Sequence, residues 1–217
     1  MKRAMERFII FDMDGVLINT EAMCYQVWKN IFAQLGVEIN MDIYQCCIGS
    51  SDDVLMESVW QHCGKDFRGR TDLIDLYDQR KLQEIADHGV PPIPGTAETL
   101  TALQARGFRM AVASASPASH IRLCLEKEGL LPYFEVFFSG EEVAHTKPAP
   151  DVFLAAAAAM GADPKNCTVV EDSRNGTLAA KAAGMRCIGF VNPDSGNQDL
   201  GAADVLIHRF TELLEVL

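Results

Sequence analysis

The chain has 217 residues, 48% of them hydrophobic, and 19 Lys+Arg against 30 Asp+Glu, a formal net charge of −11. That length buries a sizeable core without disulfides or structural metal, and a surface this acidic repels phosphate backbones and anionic lipid, so no nucleic-acid or membrane partner is expected. Seven cysteines in odd number, with no CxxC pair, suit free thiols in a reducing cytoplasm, and no apolar run approaches the roughly 18 residues of a membrane span; a cytoplasmic monomer is the expectation.

Phe8-Ile9-Ile10-Phe11 is a continuous apolar run that stops at Asp12. Without alternation, it reads as a strand buried on both faces, as in a parallel sheet. Met23, Val27, Ile31 and Leu35 then recur every four residues, and Gly36 fits a helix end. Val54–Trp60 and Leu73–Ile85 continue the helical pattern, so residues 21–89 read as a helical module. Residues 90–93, rich in proline, break the period and form a hinge. Helices and strands alternate beyond it. Helices are expected at Thr96–Arg106, Ser119–Glu128, Asp151–Met160 and Asn175–Ala183, and strands at Arg109–Ala113, Val136–Phe138, Thr168–Val170, Cys187–Phe190 and Val205–Ile207. The fold class is therefore α/β: a Rossmann-like parallel sheet with helices on both faces, formed by residues 1–20 and 94–217, with a helical insertion after the first strand.

Ligands of such sheets bind beyond the carboxyl ends of the strands. There the first strand offers Asp12-Met13-Asp14-Gly15 and the fourth offers Glu171-Asp172-Ser173. Four carboxylates at one edge need a cation among them, and a hard ion such as Mg²⁺ takes one or two carboxylates, a carbonyl, waters and phosphate oxygens. Ser114 follows the second strand and Lys147 lies in the loop after the third. A hydroxyl and an ammonium are donors that a phosphate dianion requires. Asp12 is then free to attack phosphorus, and Asp14 to serve as general acid and base, its pKa expected to be raised by neighbouring carboxylates. Asp-Gly is also a common turn, Ser114 a common helix cap and Lys147 an ordinary surface residue. Their joint occurrence, in order, is what carries the signal.

These motifs resemble those of the haloacid dehalogenase superfamily, in its beta-phosphoglucomutase and sugar-phosphate phosphatase branch. Phe11–Leu17 is similar to the first motif, Ser114 to the second, Lys147 to the third and Glu171-Asp172 to the fourth. The resemblance implies a four-helix cap in the insertion. It implies Asp12 as the phosphorylated nucleophile and Asp14 as general acid/base. It implies Mg²⁺ on Asp12, the Asp14 carbonyl and Asp172 with Glu171 as an additional or outer ligand, and Ser114 and Lys147 on the phosphoryl group. A small phosphorylated metabolite is the expected partner. Two departures from the mutase pattern stand out. Cys24 occupies the place of a histidine, and Gly49-Ser50-Ser51-Asp52 lacks an arginine that would clamp a second phosphate. Both favour hydrolysis over the alternative of a hexose-phosphate mutase; a non-catalytic phosphometabolite-binding module is a further alternative. Candidate substrate contacts are Glu21, Ala115, Ser116, Arg80 and Lys81, with Arg68, Arg70 and His62 as further cap residues. Tyr25, Trp28 and Phe32 read as cap core, and His120 and His208 as surface or capping residues.

Overall fold

The computed structural model describes residues 7–48 and 52–217; the Gly49–Ser51 part of the cap loop read above lies outside the described residues. The apolar run forms the first strand, β1 (Arg7–Phe11). Its side chains divide by the two-residue period of a strand: Ile9 and Phe11 join the core on one face, Phe8 and Ile10 that on the other. Ile9, Ile10 and Phe11 are fully buried, each worth about 1.5–3 kcal/mol of hydrophobic transfer. Five more strands follow: β2 (Phe108–Ser114), β3 (Val136–Ser139), β4 (Cys167–Glu171), β5 (Arg186–Phe190) and β6 (Val205–Ile207). All pair in parallel, in the order β3-β2-β1-β4-β5-β6. The chain therefore winds outward in both directions from β1, and the switch point, where such sheets bind ligands, lies between the ends of β1 and β4.

The helical insertion contains α1 (Glu21–Gln34), the one-turn α2 (Met41–Tyr44), α3 (Asp52–Cys63) and α4 (Thr71–His88). It has its own apolar cluster, which includes Val27, Trp28, Ile31, Phe32, Leu55 and Val59. The Trp28 ring stacks on Tyr77 of α4 with centroids 4.5 Å apart and on Phe32 at 5.4 Å. Trp28 and Phe32 are thus packing residues. Tyr25 lies against Tyr44 at their edge. The two chain passages joining the helices to the sheet run side by side: Asn19 N–H donates to Pro91 O (3.0 Å) and Ile93 N–H to Leu17 O (3.0 Å).

The remaining helices cover the sheet: α5 (Thr96–Ala105), α6 (Ala118–Lys127), α7 (Asp151–Ala159), α8 (Arg174–Ala182) and the short α9 (Leu213–Val216). The strands run slightly longer than the periodicity suggests, so Ser114 and Glu171 are last strand residues rather than loop residues. His120 corrects the surface expectation. It is 4% exposed on α6, its Nδ1 has no hydrogen-bond partner among the described residues, and burial followed by the Lys81 charge holds its pKa below the usual histidine value. Five cysteines are buried, Cys46 is exposed, and all seven are free. Among the described residues no helix is long and apolar enough to cross a membrane.

Candidate active site

A cavity of about 350 Å³ opens at the switch point, and Asp12, Asp14, Ser114, Lys147, Glu171 and Asp172 all line it. Four separate strand ends deliver these groups, because each apolar run terminates there and gives way to a polar turn. Lys147 organises the floor. Its side chain is 8% exposed, and its ammonium donates to Asp12 Oδ1 (2.6 Å), Glu171 Oε1 (2.9 Å) and Ala113 O (3.1 Å). All three ammonium donors are thereby used. Glu171 directs its second oxygen to Ser173, accepting from its N–H (2.7 Å) and its hydroxyl (2.9 Å). Both Glu171 oxygens are engaged by protein, which sets this carboxylate behind Asp12 as a support for Lys147.

Asp14 faces a different way. Thr20 Oγ1 donates to its Oδ1 (2.9 Å), while Ser116 Oγ (2.8 Å) and Ser114 Oγ (3.2 Å) donate to Oδ2. Burial would lift its pKa, but Lys81 and the hydroxyls of Ser116, Thr20 and Ser114 outweigh it and hold the carboxyl below its ordinary value. This corrects the expected rise: the other carboxylates are outmatched by a cation from α4 and a cage of donors. Asp12 behaves oppositely. Burial pushes it up to about 8, with Lys147 opposing and Glu171 and Asp14 adding to the rise. Burial, then Glu171 and Asp12, push Asp172 well above the carboxylate range.

The donor set fits a hard divalent cation. Two buried carboxylates, Asp12 and Asp172, are both destabilised as anions, and a cation beside them would reverse that. Among the described residues no group of three or more His, Cys, Asp or Glu side chains forms a closed metal site. Mg²⁺ needs no such cage, since it keeps several waters and uses one or two carboxylates with substrate phosphate.

Of the cap candidates, Glu21 lines the cavity, and half-buried Lys81 lines a smaller one that adjoins it. Ala115 lines the main cavity too, and Ser116 bonds Asp14. The others are placed elsewhere. Arg80 donates to Gln34 of α1, Arg68 pairs with Glu57 and Asp66, Arg70 pairs with Asp72, and His62 bonds Ser58 O. Sequence reasoning passed over Thr20, Ser195 and Asn192. The Ser195 hydroxyl donates to Asp172 Oδ2, and Asn192 Nδ2 donates to Gly15 O (2.9 Å). Both follow the end of β5, the kind of position already singled out after the other strands. Gly15 has φ +83, and a Cβ there would lie 2.0 Å from Asp172 Oδ2, so only glycine lets the first and fourth motifs meet.

Residues 9–190 match the family model described as haloacid dehalogenase-like hydrolase. The chain belongs to that family. Within this hydrolase family, hexitol phosphatase B of Escherichia coli K12 is 31% identical over 206 residues, covering 94% of this chain and 92% of the relative. The crystal structure of CbbY from Rhodobacter sphaeroides in complex with phosphate has a TM-score of 0.82 at 27% identity and covers 96% of each chain. A mutant of that protein in complex with xylulose-(1,5)bisphosphate gives the same TM-score at 26% identity.

Proposed function

We propose that the protein is a Mg²⁺-dependent phosphatase that transfers the phosphoryl group of a small phosphorylated metabolite, a sugar phosphate, to Asp12 and then to water. Membership of the hydrolase family and likeness to a hexitol phosphatase support a phosphomonoester hydrolase. The observation that carries the mechanism is the division of labour between two carboxylates two residues apart. Asp12 lies on the cavity floor beside Lys147, and Asp14 is held in a separate cage of hydroxyls. In the first half-reaction an Asp12 oxygen forms a bond to phosphorus as the bond to the ester oxygen breaks, and Asp14 gives its proton to the departing oxygen. In the second, Asp14 takes a proton from water as that water attacks phosphorus and frees Asp12. The depressed pKa of Asp14 keeps it ionised in the free site; an arriving phosphate dianion raises it, so that it can hold the proton it gives in the first step and accept one in the second.

A phosphoryl group arriving at Asp12 would draw a Lys147 donor from Asp12 and the Ser114 hydroxyl from Asp14 onto its own oxygens. Asp12, the Asp14 carbonyl and Asp172 would hold Mg²⁺, with Glu171 in support, and the ion would supply positive charge against the phosphate oxygens. The segment 21–89 acts as a cap hinged at residues 90–93, excluding water from the core formed by 1–20 and 94–217. Hydrolysis is preferred over mutase chemistry because the cap presents carboxylates, Glu21 and Asp52, beside Asp14, and a mutase must hold a second phosphate there.

The test is Asp12→Asn assayed for phosphate release from sugar and polyol phosphates, with EDTA-treated protein alongside. Loss of about 10³-fold or more in turnover with an unchanged melting curve is expected, as is recovery of EDTA-treated protein on adding Mg²⁺. Substantial turnover by the Asn variant would remove Asp12 as nucleophile.

A further inference from the structure

A second cavity, of about 110 Å³, lies within the helical insertion and shares Asp14, Glu21 and Ile48 with the main one. Its polar lining beyond Asp14 comes chiefly from Glu21, Cys24, Tyr44, Asp52, Tyr77 and Lys81. The groups are fixed by their neighbours. Tyr44 Oη donates to Glu21 Oε2 (3.2 Å), and the Trp28 and Tyr77 rings stack with centroids 4.5 Å apart. Trp28, Tyr44 and Tyr77 are themselves buried, so the lining is rigid.

Asp14 decides which way a substrate points. Its carboxyl must lie within hydrogen-bond reach of the ester oxygen it protonates. The atoms beyond that oxygen then enter the space on the far side of Asp14, which is this chamber. A third groove beside Arg174 and Gln45, about 440 Å³, is lined by neither Asp12 nor Asp14, so it offers no route for the leaving group. The chamber's charge is the second constraint. Glu21 and Asp52 face one ammonium, Lys81, whose charge Asp14 and Glu21 already share. An anion placed here meets like charge at close range, whereas a hydroxyl donates to a carboxylate and accepts from Lys81 or a phenol. Size is the third. The volume of about 110 Å³ corresponds to a few waters at about 30 Å³ each, room for a short polyol arm.

We propose that this chamber receives the leaving group, and that Glu21 and Asp52 select uncharged, hydroxyl-bearing leaving groups against esters that carry a second anion. The inference rests on the phosphatase reading above. It assigns Glu21 and Asp52 as specificity residues and Lys81 as the donor that orients a hydroxyl.

Glycerol 3-phosphate and 3-phosphoglycerate test it as a matched pair, since they differ by a hydroxymethyl group against a carboxylate on one three-carbon skeleton. kcat/KM for phosphate release is measured for both at pH 8 with Mg²⁺, and affinity for both is measured by calorimetry on the Asp12→Asn protein. The expected preference for glycerol 3-phosphate is on the order of 100-fold in each readout, as a close, partly desolvated like-charge contact gives. Glu21→Gln combined with Asp52→Asn narrows it by about 10-fold or more, mostly by improving 3-phosphoglycerate. Equal or reversed preference in the unmutated chamber overturns the proposal, as does an equal loss for both compounds in the double variant. Absence of phosphate release from any ester contradicts the phosphatase reading instead, and the affinity ratio then decides the chamber.

Discussion

Glu21 sits where the two cavities meet, and its carboxyl responds to burial first, then to the Asp14 charge, with Lys81 and the Tyr44 hydroxyl opposing; the balance pushes it up to about 7. Below that pH Glu21 is protonated and the chamber carries one less negative charge. As pH rises through about 7 it ionises, faces Asp14 and Asp52 with like charge, and weakens the hold on any anionic leaving group. KM for 3-phosphoglycerate is therefore expected to rise between pH 6 and pH 8 by roughly tenfold more than KM for glycerol 3-phosphate. Glu21→Gln should flatten that difference; a difference that persists in the variant would place the titration elsewhere. Other single residues are equally exacting. A Cβ at Gly176 would lie 1.6 Å from Glu171 Oε1, so the α8 backbone packs directly on the carboxylate that steadies Lys147. Asp12, Asp14, Lys147 and Asp172 were legible because each stands at or soon after the end of an apolar run, where charge has no packing purpose. Thr20 and Ser195 were not, since a hydroxyl in a polar loop has no spacing that distinguishes it from a cap. The direction of the Asp14 pKa was also beyond reach, because Lys81 is 67 positions away in sequence and only the folding of α4 over the site brings it near.

Among the elements, α6 connects the two working parts of the molecule. Its N-terminus follows the Ser114–Ser116 turn that cages Asp14. Its C-terminal end reaches the segment that follows α4, where Lys127 Nζ donates to Ala86 O near the end of α4 and Glu128 Oε1 accepts from Val90 N–H (3.0 Å). Gly89 sits between them at φ 72, and a Cβ there would lie 2.7 Å from the same Glu128 oxygen. Glu128→Ala leaves a partly buried N–H without its charged acceptor, which costs about 1–2 kcal/mol. Calorimetry should show Tm lowered by roughly 2–4 °C per kcal/mol for a chain of this size, and an unchanged Tm would mean that water replaces the bond without cost. The long elements were readable from their periods. α3 extends from Asp52 to Cys63 and α4 from Thr71 to His88, each a few residues beyond the apolar positions that announced it. The one-turn α2 escaped, because four residues carry no period, yet it supplies Tyr44 to the chamber.

For the whole molecule, the sheet order places β1 at the centre, so the first motif lies between β2 on one side and β4 on the other. The global charge of −11 and the proposed phosphate site are compatible because Lys147 and Lys81 act locally, and a divalent ion would complete the balance among Asp12, Asp14 and Asp172. The fold class followed from alternation of helices and strands, but the chamber did not, since it is assembled by α1, α2, α3 and α4 together and no segment signals it alone. The proposed phosphoryl transfer depends on Asp12 as the group that carries phosphorus. Rapid acid quenching of the protein during turnover with Mg²⁺ and a sugar phosphate, followed by peptide mass spectrometry, tests this directly. A phosphoryl group on the peptide containing Asp12, absent from Asp12→Asn and lost on longer incubation, is the predicted result. Continued turnover with no phosphorylated Asp12, or with the label on another residue, would contradict it.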